Sequence, residues 1–255
     1  MHTVAIGIDV GGTAIKGAGV DPRTGAILTD RHRVTTPVGG APTEIASSVA
    51  AMTAAIRAEL PGVDPDMTPI GITLPGVVQR GIMLSAANVD DAWIGLDAAE
   101  LFRTALGAPC TVMNDADAAG TAEAAFGVLR DFSGVALVLT FGTGVGSACL
   151  HDRVLVPNFE LGHLHLDGHA NIEQYITPKV IEREGVSLAE WADRAAHYVR
   201  HLELVLNPDC FVLGGSISKN AAEFLPFDGV LAPVIPAAFR NDAGIVGAAA
   251  LAVPR

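Results

Sequence analysis

Lysine is scarce in this chain, since only three of its 255 residues are lysines and the formal net charge at pH 7 is −12. Nonspecific binding to nucleic acid or to an anionic membrane surface is therefore not expected. A polyanionic ligand needs a local basic patch or exposed backbone N–H groups, because the field of the whole chain opposes its approach.

Cysteine and long apolar runs are scarce too. The three cysteines lie within or beside apolar runs without a C-x-x-C spacing, so we expect small core residues in a reducing compartment. No apolar run approaches the ~20 residues of a membrane-spanning helix, and residues 1–5 lack the basic segment of a signal peptide. We expect a cytoplasmic protein with one large or two modest domains.

Glycine, in contrast, interrupts the apolar sequence at regular positions in one stretch. Residues 136–139 form an apolar run, Gly142, Gly144 and Gly146 follow at alternate positions, and residues 147–150 form a second run. This pattern predicts a strand, a glycine turn and a strand. The exposed N–H groups of such a turn suit an anion, most often phosphate, although a tight hairpin needs no ligand.

The same pattern occurs near the N-terminus. Strands are predicted over residues 4–8 and 15–20, with a glycine turn between them. At an offset of 131 residues, Gly11 aligns with Gly142 and Asp21 aligns with Asp152. The repeat predicts a duplicated architecture whose two glycine turns face each other across a cleft.

Strands and helices alternate along the rest of the chain, which indicates the α/β class. Apolar spacings of three and four predict helices over residues 45–60 and 188–205, the second of which follows a capping box at Ser187 and Glu190. The other predicted elements are helices over 96–106, 116–129 and 243–253, strands over 69–74, 111–113 and 210–213, and a loop over 61–69. Residues 165–185 fit no element.

Asn114 and Asp115 follow a short predicted strand. A carboxylate at the end of a buried strand lies where open α/β sheets bind their ligands, and there it can act as a general base toward a hydroxyl group. The alternative is that Asp115 or Asp117 only caps the next helix, and Asp117 is the better candidate for a cap.

Glu160 and His163 are polar residues with apolar neighbours. Such side chains need partners, which the hydroxyl groups of a sugar provide. A buried ion pair is the alternative. His163, His165 and His169 could also recruit zinc, although no cysteine is near.

Asp9 and Lys16 flank the first glycine turn. They could serve Mg²⁺ and a transferred phosphoryl group, or they could form a surface pair. Lys219 follows Gly214 and Gly215 at a predicted helix start, where it could meet a phosphate or point into solvent.

Together these segments resemble the ROK sugar-kinase family of the actin-like ATPase superfamily. The resemblance is carried by the two phosphate motifs at residues 8–17 and 139–146, the sugar-site segments at 74–76, 114–115 and 160–163, and the nucleotide-side segments at 214–218 and 241–248. It covers nearly the whole chain. It implies the actin-like ATPase (ribonuclease H-like) fold, with two similar α/β lobes around a cleft. Residues 1–113 and about 242–255 would form the first lobe and residues 114–241 the second.

Within that family the polyphosphate glucokinase branch is the closer match, through residues 87–95, 156–164, 172–173, the surroundings of Trp191 and residues 234–241. Most ROK kinases carry a cysteine-rich zinc motif where this chain has residues 164–172, which contain no cysteine. No structural zinc is therefore expected. Regulators of the family carry a DNA-binding helix-turn-helix before the first motif, and only eight residues precede Asp9, so a repressor is not expected.

The resemblance implies phosphorylation of glucose at its 6-hydroxyl group, with inorganic polyphosphate and also ATP as donor, Mg²⁺ as cofactor and a homodimeric assembly. Asp115 would be the general base, and Mg²⁺ would bind near Asp9. The sugar would be held by Gly76, Asn114, Glu160, His163 and Glu173. The phosphates would be held by Asp9, Gly11, Gly12, Thr13, Lys16, Thr140, Gly142, Thr143, Gly144, Gly214, Gly215 and Lys219.

Two other functions stay open at this point. One is an ATP-dependent hexokinase for mannose, fructose or an N-acetylated sugar, and mannose is also a candidate second acceptor for the glucokinase. The other is a sugar-binding protein without catalysis. A polyphosphate track would need arginines, for which the candidates are Arg80, Arg103, Arg153 and Arg240.

Overall fold

The computed structural model describes residues 4–64 and 67–253. The centre of the predicted loop over residues 61–69, the first three residues and the last two residues lie outside this part of the chain. In chain order the strands are β1 (Ala5–Val10), β2 (Ala14–Val20), β3 (His32–Thr35), β4 (Ile70–Leu74), β5 (Val78–Gln79), β6 (Ile82–Met83), β7 (Thr111–Asn114), β8 (Val135–Phe141), β9 (Val145–His151), β10 (Val154–Val156), β11 (Cys210–Gly214) and β12 (Val234–Pro236). The α-helices are α1 (Pro42–Ala58), α2 (Ala98–Leu106), α3 (Asp115–Phe126), α4 (Glu173–Ile176), α5 (Lys179–Glu184), α6 (Leu188–Leu206), α7 (Ala221–Phe224) and α8 (Ala243–Ala252).

Two five-stranded sheets repeat the same topology. The first has the order β3-β2-β1-β4-β7 and the second the order β10-β9-β8-β11-β12. In each sheet an antiparallel hairpin is followed by two strands that add in parallel, β4 and β7 in one and β11 and β12 in the other. The repeated strand, turn and strand unit predicted from the glycines is confirmed.

Helices α3 and α8 bring the two sheets together. Helix α3 follows the last strand of the first sheet but packs on β8 and β9, whereas α8 follows the last strand of the second sheet and packs on β1 and β4. The two helices also pack against each other, and a Cβ added at Gly247 would lie 1.8 Å from the carbonyl oxygen of Ala118. Only glycine permits this approach, so the small residues of α3 and α8 set the spacing between the sheets.

Large apolar clusters fill the space behind each sheet. Ring contacts among Phe141, Trp191 and Tyr198 anchor α6 to the second sheet, with centroid separations of 5.7 and 6.4 Å. The predicted capping box at the start of α6 is confirmed, because Ser187 and Glu190 each accept a hydrogen bond from the other residue's backbone N–H. Within the described ranges, no helix combines the length and apolar character needed to cross a bilayer.

Three stretches differ from expectation. Helix α3 ends at Phe126 rather than at 129, because the Glu123 carboxylate accepts a hydrogen bond from Val128 N–H and draws the chain into a turn. Residues 78–83 form the small β5–β6 hairpin, in a stretch where no element is predicted from the sequence. The unassigned residues 165–185 contain the two short helices α4 and α5.

Candidate active site

Two adjoining cavities lie between the sheets. One, of about 470 Å³, contains Gly76, Asn114, Glu160, His163 and Glu173 in its wall, and we call it the inner cavity. The other, of about 240 Å³, contains Asp9, Lys16 and Gly214, and we call it the donor cavity. The residues shared by both walls are Asp115, Thr140, Gly142 and Gly215. Asp115 therefore stands at the junction of the two spaces.

The junction is built where β7 ends and α3 begins. Asn114 caps α3, since its side-chain oxygen accepts hydrogen bonds from the N–H groups of Ala116, at 2.8 Å, and Asp117, at 3.0 Å. The expectation that Asp117 or Asp115 caps this helix is wrong. Asp117 lies inside the first turn, and its carboxylate accepts a hydrogen bond from Asn158 N–H at 2.9 Å. The Asp115 side chain is thereby left facing the cavities.

Asn114 also connects the two sides of the inner cavity. Its Nδ2 donates to the Gly76 carbonyl oxygen at 3.0 Å and approaches Glu160 Oε1 at 3.5 Å. Gly76 has φ 157°, and a Cβ there would lie 2.2 Å from the Ser85 carbonyl oxygen. A side chain at position 76 would displace this wall, which explains why glycine occupies it.

Glu160, His163 and Glu173 form one polar cluster. His163 Nδ1 lies 3.9 Å from Glu160 and its Nε2 lies 4.0 Å from Glu173. The His163 side chain is 51% exposed, so the alternative of a buried ion pair is wrong. Glu173 also accepts a hydrogen bond from Val145 N–H at 3.2 Å, which ties this cluster to the second glycine turn.

Electrostatics prepare Asp115 to take up a proton. Burial, followed by the negative charges of Asp9 and Glu160, raises the pKa of Asp115 to about 7, against the lowering effect of a hydrogen bond from Ala116 N–H. Burial likewise raises the pKa of Glu160, with a further contribution from Glu173. A carboxylate whose pKa lies near neutral pH is suited to general-base catalysis.

Asp9 and Lys16 form a half-buried pair in the donor cavity. Their side chains approach to 3.3 Å, and the exposed fractions are 17% for Asp9 and 36% for Lys16. Thr73 holds the other carboxylate oxygen of Asp9 with a hydrogen bond of 3.0 Å. Of the two alternatives from sequence, a pair that faces a cavity fits better than one at the outer surface.

Both glycine turns reach the inner cavity. Gly11 and Gly12 contribute from the first turn, Gly142, Thr143 and Gly144 from the second, while Thr13 is exposed and lies in the wall of neither cavity. The second turn is held by Thr177, whose hydroxyl group donates to the Gly142 carbonyl oxygen at 2.9 Å. A Cβ at Gly142 would meet nothing within 4 Å, so the backbone there is open to the cavity.

Gly214 and Gly215 close the donor cavity at the end of β11. Gly215 has φ 81°, and a Cβ there would lie 2.1 Å from the Phe141 carbonyl oxygen, so this position requires glycine. Lys219 lies in a 3₁₀ turn, Ser216–Asn220, ahead of the four-residue helix α7. The expectation of Lys219 in the first turn of a regular helix is wrong, because the chain tightens here before α7 begins.

Some residues of the site were not singled out by sequence. Glu123 is fully buried in α3 and accepts a hydrogen bond from Phe239 N–H at 3.0 Å, which fixes the segment before α8. The sequence signal for Glu123 was its position as a single carboxylate among alanines. Thr73 and Thr177 gave no signal, because threonine is common in buried strands and loops.

The sequence profile of the ROK family matches residues 5–175. A polyphosphate glucokinase of Mycobacterium tuberculosis is 40% identical over 248 residues, which cover 97% of this chain and 90% of the relative. This chain belongs to the ROK family. A polyphosphate glucokinase of Mycobacterium leprae is also 40% identical, over 95% of this chain and 72% of the relative.

Solved structures of ROK proteins have the same fold. The inorganic polyphosphate/ATP-glucomannokinase of Arthrobacter sp. strain KM superposes with a TM-score of 0.92 at 45% identity, covering 97% of each chain. A ROK family glucokinase of Streptomyces griseus superposes with a TM-score of 0.78 at 22% identity, covering 98% of this chain and 99% of the other. The predicted actin-like ATPase fold is confirmed.

Proposed function

We propose that this ROK protein is a glucokinase that transfers a phosphoryl group from inorganic polyphosphate, and also from ATP, to the 6-hydroxyl group of glucose. The observation that carries the proposal is the position of Asp115 between an inner cavity lined by hydrogen-bonding side chains and a donor cavity lined by Lys16 and by the glycines Gly142, Gly214 and Gly215. The names of the Mycobacterium and Arthrobacter relatives support the same substrates.

Glucose would occupy the inner cavity. Asn114, Glu160, His163 and Glu173 offer it an amide, an imidazole and two carboxylates, and Gly76 forms a wall without a side chain. Sugar hydroxyl groups both donate and accept hydrogen bonds, so this mixed set can satisfy them. Hydrogen bonds to charged groups also have the strength to orient the sugar.

Phosphoryl transfer then requires a proton acceptor and a positioned donor. Asp115 takes the proton of the 6-hydroxyl group, and the sugar oxygen forms a bond to the terminal phosphorus of the donor. The bond between that phosphorus and the bridging oxygen breaks, and the shortened polyphosphate or ADP leaves with its electron pair. The glycine turns and Lys16 would hold the phosphates in line, because positioning and charge neutralisation dominate such reactions.

Magnesium is the cofactor that we propose, and the donor set fits it. Asp9 reaches the donor cavity and supplies the carboxylate oxygen that Mg²⁺ prefers as a ligand. Among the described residues no group of three or more His, Cys, Asp or Glu could hold a metal ion alone. Mg²⁺ commonly binds through one or two carboxylates plus substrate phosphates, so Asp9 would hold it together with the donor. It would supply charge neutralisation.

The test is turnover of purified protein with glucose, Mg²⁺ and either polyphosphate or ATP, measured as glucose 6-phosphate. Product from polyphosphate is the expected result. Product from ATP alone, or faster turnover of mannose, fructose or an N-acetylated sugar, would favour an ATP-dependent hexokinase. Glucose binding without product from any donor would favour a sugar-binding protein.

We also propose that the protein is a homodimer, that it is located in the cytoplasm, and that its two lobes divide between residues 113 and 114 and again near residue 242. The packing of α8 on β1 and β4 supports the assignment of the last helix to the first lobe. Light scattering of the purified protein tests the homodimer, for which a monomer mass at working concentration is the contrary result.

A further inference from the structure

A third cavity, of about 940 Å³, opens from the donor cavity toward the surface. The two share Lys16, Ala237, Arg240 and Asn241 in their walls, so they adjoin each other. We call the third cavity the outer groove. Its charged wall residues are five cations and one carboxylate, apart from a histidine: Lys16, Arg31, Arg33, Lys219, Arg240 and Asp242. Two of the three lysines of this acidic chain thus lie in one groove.

Strand pairing aligns part of this charge. In the first sheet Asp9 lies opposite Lys16, and Lys16 lies opposite Arg33 on the edge strand β3. Residues directly opposite on neighbouring strands point to the same face, and like charges there repel each other. Asp9, Lys16 and Arg33 therefore form a row across the sheet, from a carboxylate at the donor cavity to two adjacent cations. An anion bound between the two cations would stabilise them.

The other wall comes from the second sheet and the segment before α8. Lys219 follows β11, and Arg240 follows Phe239, whose N–H is held by the buried Glu123. The charge of Arg31 is neutralised by Asp242, whose two carboxylate oxygens each accept a hydrogen bond of 2.9 Å from the guanidinium group. Within the described part of the chain, Arg33, Lys219 and Arg240 have neither a hydrogen bond nor an ion pair from their side chains.

The arginines that sequence suggested for a polyphosphate track lie elsewhere, apart from Arg240. Arg103 pairs with Glu100 on α2, and Arg153 donates to the Arg130 carbonyl oxygen. Arg80 lines a different cavity, beside β5 and β7. Three of the four arginines expected to form the track therefore do not line the outer groove.

We propose that the outer groove is an extended subsite for inorganic polyphosphate, which binds phosphate units of the chain beyond those held in the donor cavity. The proposal rests on the proposed function, because it assumes polyphosphate as donor. A linear polyanion is a suitable ligand, since its repeated negative charges match the several cations along the groove. The expected consequence is that longer chains bind more tightly than tripolyphosphate or ATP, because only additional phosphate units would contact Arg33, which lines the outer groove and not the donor cavity.

The test compares KM for long-chain polyphosphate, tripolyphosphate and ATP in a series at position 33. Arg33 lies on the exposed edge strand and outside the donor cavity, so its replacement should leave folding intact. For Arg33→Gln we expect KM for long chains to rise about two- to fivefold, as for loss of one exposed ionic contact. Arg33→Glu should raise it further and Arg33→Lys should restore it, while KM for tripolyphosphate, for ATP and for glucose stays unchanged.

Arg103→Gln is the matched control, because it removes the same charge from a surface away from the groove. An unchanged KM for long chains in Arg33→Glu would overturn the extended subsite and leave the glucokinase proposal standing. An equal rise for long chains, tripolyphosphate and ATP would also overturn it, since the groove would then serve only a triphosphate. No turnover of polyphosphate by the unaltered protein would overturn both proposals.

Discussion

The inner cavity and the outer groove lie on either side of the donor cavity and have opposite charge. Among the described residues, the inner cavity is lined by three carboxylates, from Asp115, Glu160 and Glu173, and by no lysine or arginine. The outer groove has five cations against one carboxylate. The donor cavity between them contains Asp9 and Lys16 as a pair.

This contrast separates the two proposed substrates. A neutral sugar gains from carboxylates, which accept hydrogen bonds from its hydroxyl groups, whereas a phosphate chain is repelled by them. The donor should therefore enter from the basic side and present only its terminal phosphoryl group to Asp115. Burial and the charge of Asp9 raise the pKa of Asp115 most, and the charge of Glu160 in the inner cavity adds to them, so the wall that contacts the sugar also helps to prepare the base.

The largest expected effect comes from Asp115, where the two regions meet. Asp115→Asn keeps the shape but removes the proton acceptor, so turnover should fall at least ~10²-fold with either donor. Glucose affinity, measured by calorimetry, should change little. Asp131→Asn, at a side chain that is 89% exposed, is the control. Near-normal turnover of Asp115→Asn would exclude this residue as the base.

Glu160→Gln tests the acidic region alone. It replaces a charged hydrogen-bond acceptor by a neutral one, so KM for glucose should rise roughly tenfold or more, as expected for a hydrogen bond to a charged group. KM for polyphosphate should stay the same or fall, because a repelling charge is removed. Glu182→Gln, on the exposed side of α5, is the control. A change confined to KM for polyphosphate would contradict the assignment of the inner cavity to the sugar.

The pH dependence reports the electrostatic link between the regions. With the pKa of Asp115 at about 7, kcat/KM should be constant above pH 8 and should fall about tenfold per pH unit well below pH 7, as the base becomes protonated. Because the charge of Glu160 contributes to this raised pKa, the acid limb should move to lower pH in Glu160→Gln. An acid limb centred near pH 4 in the unaltered protein would contradict the raised pKa of Asp115, for which burial and the neighbouring carboxylates are the causes.

How much sequence could reveal differs between the two regions. The glycine turns and the Asn114-Asp115 corner are local patterns, so their positions in strands and at a strand end were predictable. The helix cap was assigned to Asp117 because Asp and Asn are almost equal as caps, and only the contact with Asn158 separates them. The basic groove depends on the register of β2 with β3 and on the segment before α8, which brings Arg240 beside Lys219. No local pattern encodes these neighbours, so Arg31 and Arg33 were missed.

The smallest expected effect is the response to ionic strength, and it applies to both regions at once. Salt screens exposed charges over a Debye length of about 10 Å at 0.1 M, so the exposed cations of the outer groove should lose attraction as salt rises. KM for long polyphosphate should therefore increase severalfold between about 0.05 and 0.3 M salt, and KM for ATP should increase less. KM for glucose should remain constant, since a neutral sugar held by short hydrogen bonds feels little screening. The increase of KM for long polyphosphate with salt should also be smaller in Arg33→Gln than in the unaltered protein or in Arg103→Gln, because one of the screened charges is already absent. An equal increase of KM for long polyphosphate with salt in all three proteins would mean that Arg33 does not contact the donor. The basic region that binds the donor would then not extend beyond Lys16.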